Sequence, residues 1–131
     1  MLWARNHLVN PLVRALARTP ARRLFGHHLV LLAYTGRRTG RPRELPVMSA
    51  PAGDDLVVVV GQHGAKTWWR NFGRIPQEVT VRADGNVQPH AARLLRAGDP
   101  GYAEALAAYR REYPRVEVQG DSPVLVLSHP F

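Results

Sequence analysis

The densest group of residues able to bind an anion is the stretch 35–43, which reads TGRRTGRPR. It places four arginines and two glycines within nine residues. Glycine accepts positive φ, so a turn of this composition can point several backbone N–H groups at one ligand. The guanidinium groups add planar donors that bind phosphate or carboxylate in a bidentate manner. The stretch indicates either a site for a ligand with phosphate or several carboxylates, or a solvated turn whose arginines maintain solubility.

A second group of candidate binding residues lies at 61–72, which reads GQHGAKTWWRNF. It follows the strongest strand pattern of the chain, and loops at strand ends often carry binding residues on a rigid support. His63 and Lys66 precede a short segment with helical spacing that contains Trp68 and Trp69. The two indole rings could form the wall for a flat heteroaromatic ring, or they could belong to the core, because tryptophan buries a large area wherever it occurs.

Several other chemistries lack the residues that they require. The chain has no cysteine, which excludes thiol catalysis, disulfides and zinc–thiolate sites. The six histidines show no metal-ligand spacing, so we predict no metal site. We find no Walker loop, no G-x-G-x-x-G pattern, no paired carboxylates and no serine with a nearby base. The segments 35–43 and 61–72 are left as the candidates for a binding site.

The charge is unevenly distributed along the chain. Nine arginines and no acidic residue precede Glu44, whereas all ten acidic residues lie from Glu44 onward, among nine basic ones. An anionic partner is therefore expected to meet the first third: a nucleic acid, a lipid surface or a phosphorylated small molecule. We predict no nucleic-acid binding, because the chain lacks an RNP motif, a helix-turn-helix pattern and aromatic residues interleaved with the basic turn.

The elements that must position these residues follow from periodicity and turn signals. Short apolar runs with β-branched residues predict strands, and a three- and four-residue spacing predicts a helix. Pro51–Asp55 reads as a turn, and the Asp-Gly pair within 83–86 predicts a hairpin. Short connections favour antiparallel pairing, so we expect an α+β fold around a small barrel of about six strands. The predicted strands are 28–34, 44–50, 56–61, 77–82, 87–95 and 124–128, and the predicted helix is 99–113.

The first 26 residues read as an amphipathic helical segment preceding this barrel. Its apolar positions recur at helical spacing, and Arg14, Arg18 and Arg22 lie on the other face. The segment could pack on the barrel or lie on an anionic membrane surface. We find no apolar run of the about 20 residues that a membrane span needs, nor a secretory signal. We expect one domain over 1–131, cytoplasmic and with membrane association left open.

The order of motifs resembles the deazaflavin-dependent nitroreductase family of split-β-barrel oxidoreductases. An apolar strand leads into T-G-R-[RK]-[ST]-G-x-P-R, which is followed by a strand, a turn, a strand and a W-x-x-N segment at 68–71. The closing SPVLVL at 122–127 is similar to the last strand of that family. The resemblance extends from about residue 10 to the C-terminus, and the arginine turn is its most specific element.

The resemblance implies binding of coenzyme F-420, an 8-hydroxy-5-deazaflavin with a phosphate and an oligoglutamate tail. On that analogy the arginine turn holds the anionic tail, the proline of the next strand and the loop at 61–63 face the ring, and the W-x-x-N segment completes the site. The residues at the matching positions are Arg37, Arg38, Thr39, Gly40, Arg43, Pro46, Gly61, Gln62, His63, Trp68 and Asn71.

The implied activity is hydride transfer from the reduced cofactor to a quinone, a nitro compound or another conjugated electrophile. Such a reaction needs positioning and water exclusion rather than an acid–base pair. Met48, Tyr109 and Tyr113 are candidates for the substrate pocket, and the proton could come from Tyr113 or from water. The chain departs from the family in having His63 at a basic position and Met48 at a position where tyrosine is frequent.

Two further expectations accompany this reading. The alternative function is a non-catalytic split barrel that binds a fatty acyl chain, a flavin or another flat cofactor. A homodimer is compatible with the sequence, because a short barrel leaves apolar edges to cover, although no residue demands it.

Overall fold

The structure is a computed structural model, and it describes residues 29–61, 63–64, 66–83 and 85–130. Within these residues the chain forms seven strands, one α-helix and one short 3-10 helix. The predicted N-terminal helical segment, 1–26, lies outside the described residues, as does Gln62. The elements are β1 (Leu29–Thr35), β2 (Pro42–Met48), β3 (Ala50–Ala52), β4 (Asp55–Val59), the 3-10 helix (Trp68–Asn71), β5 (Gln77–Ala83), β6 (Asn86–Leu95), α1 (Tyr102–Glu112) and β7 (Val124–Ser128).

The seven strands form one antiparallel sheet in the order β2-β1-β5-β6-β7-β4-β3. The two edge strands, β2 and β3, follow one another in the chain and are separated only by Ser49. A sheet whose two edges are joined by one residue must curl strongly. This arrangement confirms the predicted α+β class and the antiparallel, split-barrel-like sheet. The strand number is seven rather than about six.

The additional strand corrects the predicted turn at Pro51–Asp55. The chain bends at Ser49, and Ala50–Ala52 then pairs with β4, so the turn consists only of Gly53 and Asp54. Proline signals a turn because it cannot donate a ladder hydrogen bond. On an edge strand, however, a proline N atom can face away from the neighbouring strand at no cost. Pro51 lies on such an edge, which is why the turn prediction was wrong there.

The apolar residues divide between the two faces of the sheet. Leu125 and Leu127 of β7 belong to the interior cluster, whereas Val124 and Val126 pack beneath α1. Burial on both faces explains why β7 reads as a continuous apolar run. In β5, Val79 and Val81 belong to the interior cluster, and the intervening residues are polar.

Helix α1 packs on the outer face of the sheet at β3, β4 and β7. Its buried residues recur at helical spacing along one face, as predicted, and are Tyr102, Ala105, Leu106, Ala108 and Tyr109. The helix starts after Gly101, whose φ of 87° suits glycine, and it ends before Pro114. The predicted range of 99–113 is therefore right to within three residues at its start and one at its end.

Antiparallel pairing places both candidate binding segments at one end of the barrel. The end of β1, the start of β2, the end of β4 and the start of β5 all lie there. The side chain of Gln77 donates a hydrogen bond to the carbonyl of Thr35 at 3.4 Å, which marks the proximity of these ends. We call this the loop end, and it consists of residues 36–41, 61, 63–64, 66–76, 96–101 and 120–123. The opposite end carries Ser49 and the β3–β4 and β5–β6 turns.

Candidate functional site

The arginine turn has a backbone fixed by its own hydrogen bonds. The Gly36 N–H donates to the Arg41 carbonyl and the Gly40 N–H donates to the Gly36 carbonyl, both at 2.8 Å. Gly40 has a φ of 68°, which favours glycine. A Cβ on Gly36 would lie 3.0 Å from Thr39 Oγ1, so the Thr39 side chain would have to shift to accommodate a larger residue. The glycines therefore allow a tight turn, and the side chains of Arg37 and Arg38 are exposed on it.

Asn71 connects the turn to the 3-10 helix. Its Oδ1 accepts a hydrogen bond from the Arg37 N–H at 2.7 Å, across 34 residues of sequence. Its Nδ2 donates to the Trp68 carbonyl, also at 2.7 Å. One side chain thus fixes the position of the turn and closes the 3-10 helix. This contact gives a structural reason for the joint presence of the arginine turn and the W-x-x-N segment.

The two tryptophans have different roles. Trp69 is 8% exposed, belongs to the interior cluster, and its Nε1 donates to the carbonyls of His63 (3.1 Å) and Lys66 (2.8 Å). The guanidinium carbons of Arg70 and Arg96 lie 5.5 and 5.1 Å from the centre of its ring. Trp68 is only partly buried. Trp69 is therefore the core residue, and Trp68 remains accessible to a ligand.

A cleft of about 460 Å³, which we call the arginine cleft, lies between the arginine turn (35–43) and the 3-10 helix. This volume is within the about 300–1,000 Å³ typical of small-molecule sites. Four guanidinium groups, two threonine hydroxyls and the rings of one tyrosine and one tryptophan surround it. The lining residues are Tyr34, Gly36, Arg37, Arg38, Thr39, Arg43, Thr67, Trp68, Arg70 and Asn71.

The positive charge of the cleft is not offset by neighbouring carboxylates in the described part of the chain. The ion pairs found there involve other groups, Arg74 with Asp99 at 2.6 Å and His63 with Asp121 at 3.9 Å. No acidic residue lines the cleft among the described residues. The site is therefore electrostatically suited to an anion, and a ligand with several anionic groups would be held by several guanidinium forks.

Tyr34 joins the cleft to the interior of the barrel. Its ring packs against Phe72 with a centroid distance of 5.2 Å. Burial raises the pKa of the Tyr34 phenol, and the nearby Arg43 guanidinium partly opposes this increase. The phenol therefore stays neutral at physiological pH and can act as a hydrogen-bond donor.

The structure brings six of the eleven predicted cofactor residues together around the cleft, and Gly40 belongs to the same turn. The remaining four lie elsewhere or outside the described residues, and they are Pro46, Gly61, Gln62 and His63. Pro46 is on β2 opposite Leu31, Gly61 is exposed after β4, and Gln62 is outside the described residues. The six that line the cleft are Arg37, Arg38, Thr39, Arg43, Trp68 and Asn71.

His63 lies at the loop end but does not line the cleft. Its side chain is 19% exposed, and its ring contacts Trp69 edge-on with a centroid distance of 6.3 Å. Its Nε2 faces Asp121, and its Nδ1 is buried with no hydrogen-bond partner among the described residues. The histidine therefore packs against Trp69 of the 3-10 helix and does not face the cleft.

The three predicted substrate-pocket residues lie away from the cleft. Met48 pairs with Leu29 at the opposite end of the barrel. Tyr109 is buried beneath α1, and its ring lies 4.9 Å from that of Tyr113. The Tyr113 hydroxyl donates to the Ser49 carbonyl at 2.5 Å. The structure therefore does not bring these residues to the arginine site.

Sequence reasoning missed three side chains of the cleft: Tyr34, Thr67 and Arg70. Tyr34 has the same parity in β1 as Val30 and Leu32, so the period of two could have assigned it to the interior face. Arg70 lies between Trp69 and Asn71, inside a segment already considered important. The family resemblance, and no signal in the residues themselves, placed this segment at the same site as the arginine turn.

Two further kinds of feature, a metal site and a membrane-spanning helix, are absent from the described residues. No group of three or more His, Cys, Asp or Glu side chains there could hold a metal ion. Neither of the described helices has the length and apolar character that crossing a bilayer requires.

Comparisons with known proteins identify a family and support the fold. Residues 3–128 match the family model described as F420H(2)-dependent quinone reductase. No curated protein matches the sequence. A solved F420-H2 dependent reductase (FDR-A) has a TM-score of 0.57 and 20% identity, over 76% of this chain and 93% of that one. A structure described as a domain-swapped dimer has a TM-score of 0.52 and 21% identity, over 96% and 97% of the two chains.

A third solved structure is the protein Atu2129 from Agrobacterium tumefaciens, described as of unknown function. It has a TM-score of 0.57 and 18% identity, over 91% of this chain and 53% of that one. At such identities these structures support the fold, and the family match carries the chemistry.

Proposed function

Because the chain belongs to the F420H(2)-dependent quinone reductase family, F420H(2) being reduced coenzyme F-420, we propose that the arginine cleft is its cofactor site. Membership makes the protein an F-420-dependent oxidoreductase. The observation that carries the proposal is the group of four arginines around the cleft, three from the stretch 35–43 and one from the 3-10 helix, for which the described residues provide no carboxylate partner.

The residues of the cleft fit the chemical groups of this cofactor. Arg37, Arg38 and Arg43 supply guanidinium forks for the phosphate and glutamate carboxylates of the tail, and Thr39 and Gly40 add hydroxyl and backbone contacts. The rings of Tyr34 and Trp68 supply an aromatic surface beside these charges. A cleft with both features suits a ligand that combines a polyanionic tail with a flat ring.

When bound, the reduced cofactor supplies a hydride. The protein holds the tail through the turn and keeps the turn in place through Asn71. Trp69 of the 3-10 helix and Phe72, which follows this helix, are buried in the interior cluster and exclude water from the barrel interior. Pro46, Gly61, Gln62 and His63 remain the proposed ring-facing positions, on the strength of the family resemblance.

We propose a quinone as the acceptor class, with nitro compounds and other conjugated electrophiles as alternatives. Reduction of a quinone by a hydride also consumes a proton. Since the Tyr113 hydroxyl donates to the Ser49 carbonyl at the far end of the barrel, water is the better-placed proton source.

Two properties of the assembly belong to the same proposal. A homodimer is supported by the similar structure described as a domain-swapped dimer and by the presence of two sheet edges, β2 and β3. Peripheral membrane contact through the N-terminal segment would suit an apolar quinone. Light scattering and vesicle sedimentation test these two properties separately.

The proposal is tested by titrating coenzyme F-420 into the protein while following tryptophan fluorescence. The double variant Arg38→Ala/Arg43→Ala should bind about a hundredfold more weakly, because it loses two charge-assisted interactions. The control Arg111→Ala/Arg115→Ala makes the same change of net charge at exposed positions outside the cleft, and it should bind like the wild type. No binding by the wild type, or equal binding by both double variants, would contradict the proposal.

A further inference from the structure

We propose that Arg70 is a specificity-determining residue, which binds the anionic part of the ligand from the wall opposite the arginine turn. It thereby makes the cleft select a deazaflavin with a phosphate–glutamate tail over the same ring without one. This inference rests on the proposed function and adds to it a residue at a variable position of the W-x-x-N motif.

The position of Arg70 follows from the 3-10 helix. Trp68, Arg70 and Asn71 line the same cleft, and the Asn71 side chain holds this helix against the backbone of Arg37. The hydrogen bond sets the separation between the two walls. Arg70 therefore contributes positive charge from the helix side, whereas Arg37, Arg38 and Arg43 contribute it from the strand side.

Arg70 is oriented by a fixed neighbour. Its guanidinium carbon lies 5.5 Å from the centre of the Trp69 ring, and Trp69 is held by burial and by two hydrogen bonds from its Nε1. Contact with an aromatic face restricts a long side chain, so less conformational freedom is lost when a ligand binds. Arg70 is thus partly preorganised for binding.

The charges around Arg70 leave it available for an anion. Arg96 lies near the same ring, with its guanidinium carbon 5.1 Å from the centre, so the groups around Trp69 include a second cation. Asp99 pairs with Arg74 and accepts a hydrogen bond from the Arg96 N–H. Among the described residues no carboxylate lies within ion-pair distance of Arg70, so its charge is available to an anion in the cleft.

A cleft with cations on both walls distinguishes ligands by their number of anionic groups. A ligand with one anion can satisfy the turn alone, and Arg70 then contributes little. A ligand with a phosphate and several carboxylates can contact both walls at once. Arg70 should therefore matter for the full cofactor and not for its ring.

The test compares two ligands with three proteins. Coenzyme F-420 and the tail-free deazaflavin, which lacks phosphate and glutamates, are each titrated into the wild type, Arg70→Gln and Arg74→Gln. We expect Arg70→Gln to bind coenzyme F-420 about tenfold more weakly, the size of one solvent-accessible charge-assisted contact, and to bind the tail-free ring like the wild type. Added salt should reduce the difference.

Arg74→Gln is the matched control. It removes the same charge four residues away, on a side chain that is exposed and outside the cleft. We expect it to bind both ligands like the wild type, which separates direct contact from the general field of the protein.

Three outcomes would overturn the inference. Equal weakening of both ligands by Arg70→Gln would mean that Arg70 acts through the packing of Trp69, and a changed tryptophan emission of the ligand-free variant would accompany it. Unchanged binding of coenzyme F-420 would mean that Arg70 does not contact the tail. Both outcomes leave the proposed function intact, whereas failure of the wild type to bind coenzyme F-420 removes the proposed function as well.

Discussion

The polar groups of the arginine cleft and those of the face covered by α1 differ in whether they have interaction partners. The cleft carries four guanidinium groups and no described carboxylate partner. Beneath α1 the polar groups are phenols, and those of Tyr102 and Tyr113 donate to main-chain carbonyls of Ser122 and Ser49. A buried polar group that has its hydrogen bond contributes to stability, whereas charges without partners add repulsion until a ligand arrives. The α1 face should therefore govern stability and the cleft should govern affinity.

The largest expected effect is at alkaline pH, where the tyrosines report on both regions. Burial raises the pKa of all four, Tyr34, Tyr102, Tyr109 and Tyr113, above the ordinary value of 10.0. Their contribution to stability is complete below pH 10.0 and is lost as the pH rises through the folded-state pKa values. We expect tyrosinate absorbance to appear together with the loss of circular dichroism, in one unfolding transition above pH 10.0.

The same titration can separate the two regions. Arg43 opposes the increase in the pKa of Tyr34, whereas burial is the main influence on the tyrosines of α1. If Tyr34 ionises first, about one quarter of the tyrosinate signal precedes unfolding, and Tyr34→Phe removes that fraction. An early fraction that persists in Tyr34→Phe would show that the α1 face is looser than its burial indicates.

The next effect is the removal of a ring from the α1 face. Tyr109 is 5% exposed, so Tyr109→Ala should lower the free energy of unfolding by about 3–5 kcal/mol, the range for large aromatic truncations. Urea denaturation measures this change, and Tyr109→Phe, which keeps the ring, is the control. Affinity of the folded variant for coenzyme F-420 should stay within about twofold of the wild type, since Tyr109 is outside the cleft. Normal cofactor binding with a large rise in KM for a quinone would instead support Tyr109 as a substrate-pocket residue.

Much of the fold could be predicted because it depends on local signals. The Asp-Gly hairpin, the β-branched strands and the spacing of α1 are each readable within about ten residues. The prediction failed at Pro51, where the meaning of a proline depends on whether its strand has a neighbour on both sides. Edge position is a property of the whole sheet, so local sequence could not supply it.

From residue types and spacing the candidate site was predictable only as two segments, and the family resemblance joined them into one site. The composition of 35–43 indicates anion binding, and the W-x-x-N segment was recognised by resemblance. Their contact depends on one hydrogen bond that spans 34 residues and on the register of β1 against β2 and β5. Arg70 and Tyr34 line one cleft only because of that contact. Their roles therefore could not be predicted from the sequence.

The smallest expected effects are at Asn71, whose side chain should influence both the free energy of unfolding and the affinity for coenzyme F-420. Asn71→Ala removes the acceptor for the Arg37 N–H and the donor to the Trp68 carbonyl, so it should cost about 1–2 kcal/mol of stability. The turn would also lose its support, and affinity for coenzyme F-420 should fall about tenfold. Urea denaturation and fluorescence titration of the same protein measure both quantities.

Asn71→Asp makes the comparison sharper, because it keeps an oxygen that can accept the Arg37 N–H and adds a negative charge beside the arginines. The added carboxylate offsets part of the repulsion in the ligand-free cleft, so this variant should be more stable than Asn71→Ala. It also competes with the cofactor tail for the same guanidinium groups, so its affinity should be lower than that of Asn71→Ala. Stability and affinity would then change in opposite directions at a single position. If Asn71→Asp were higher in both stability and affinity than Asn71→Ala, or lower in both, the prediction would be contradicted. The added carboxylate would then not be pairing with the cleft arginines in competition with the anionic ligand.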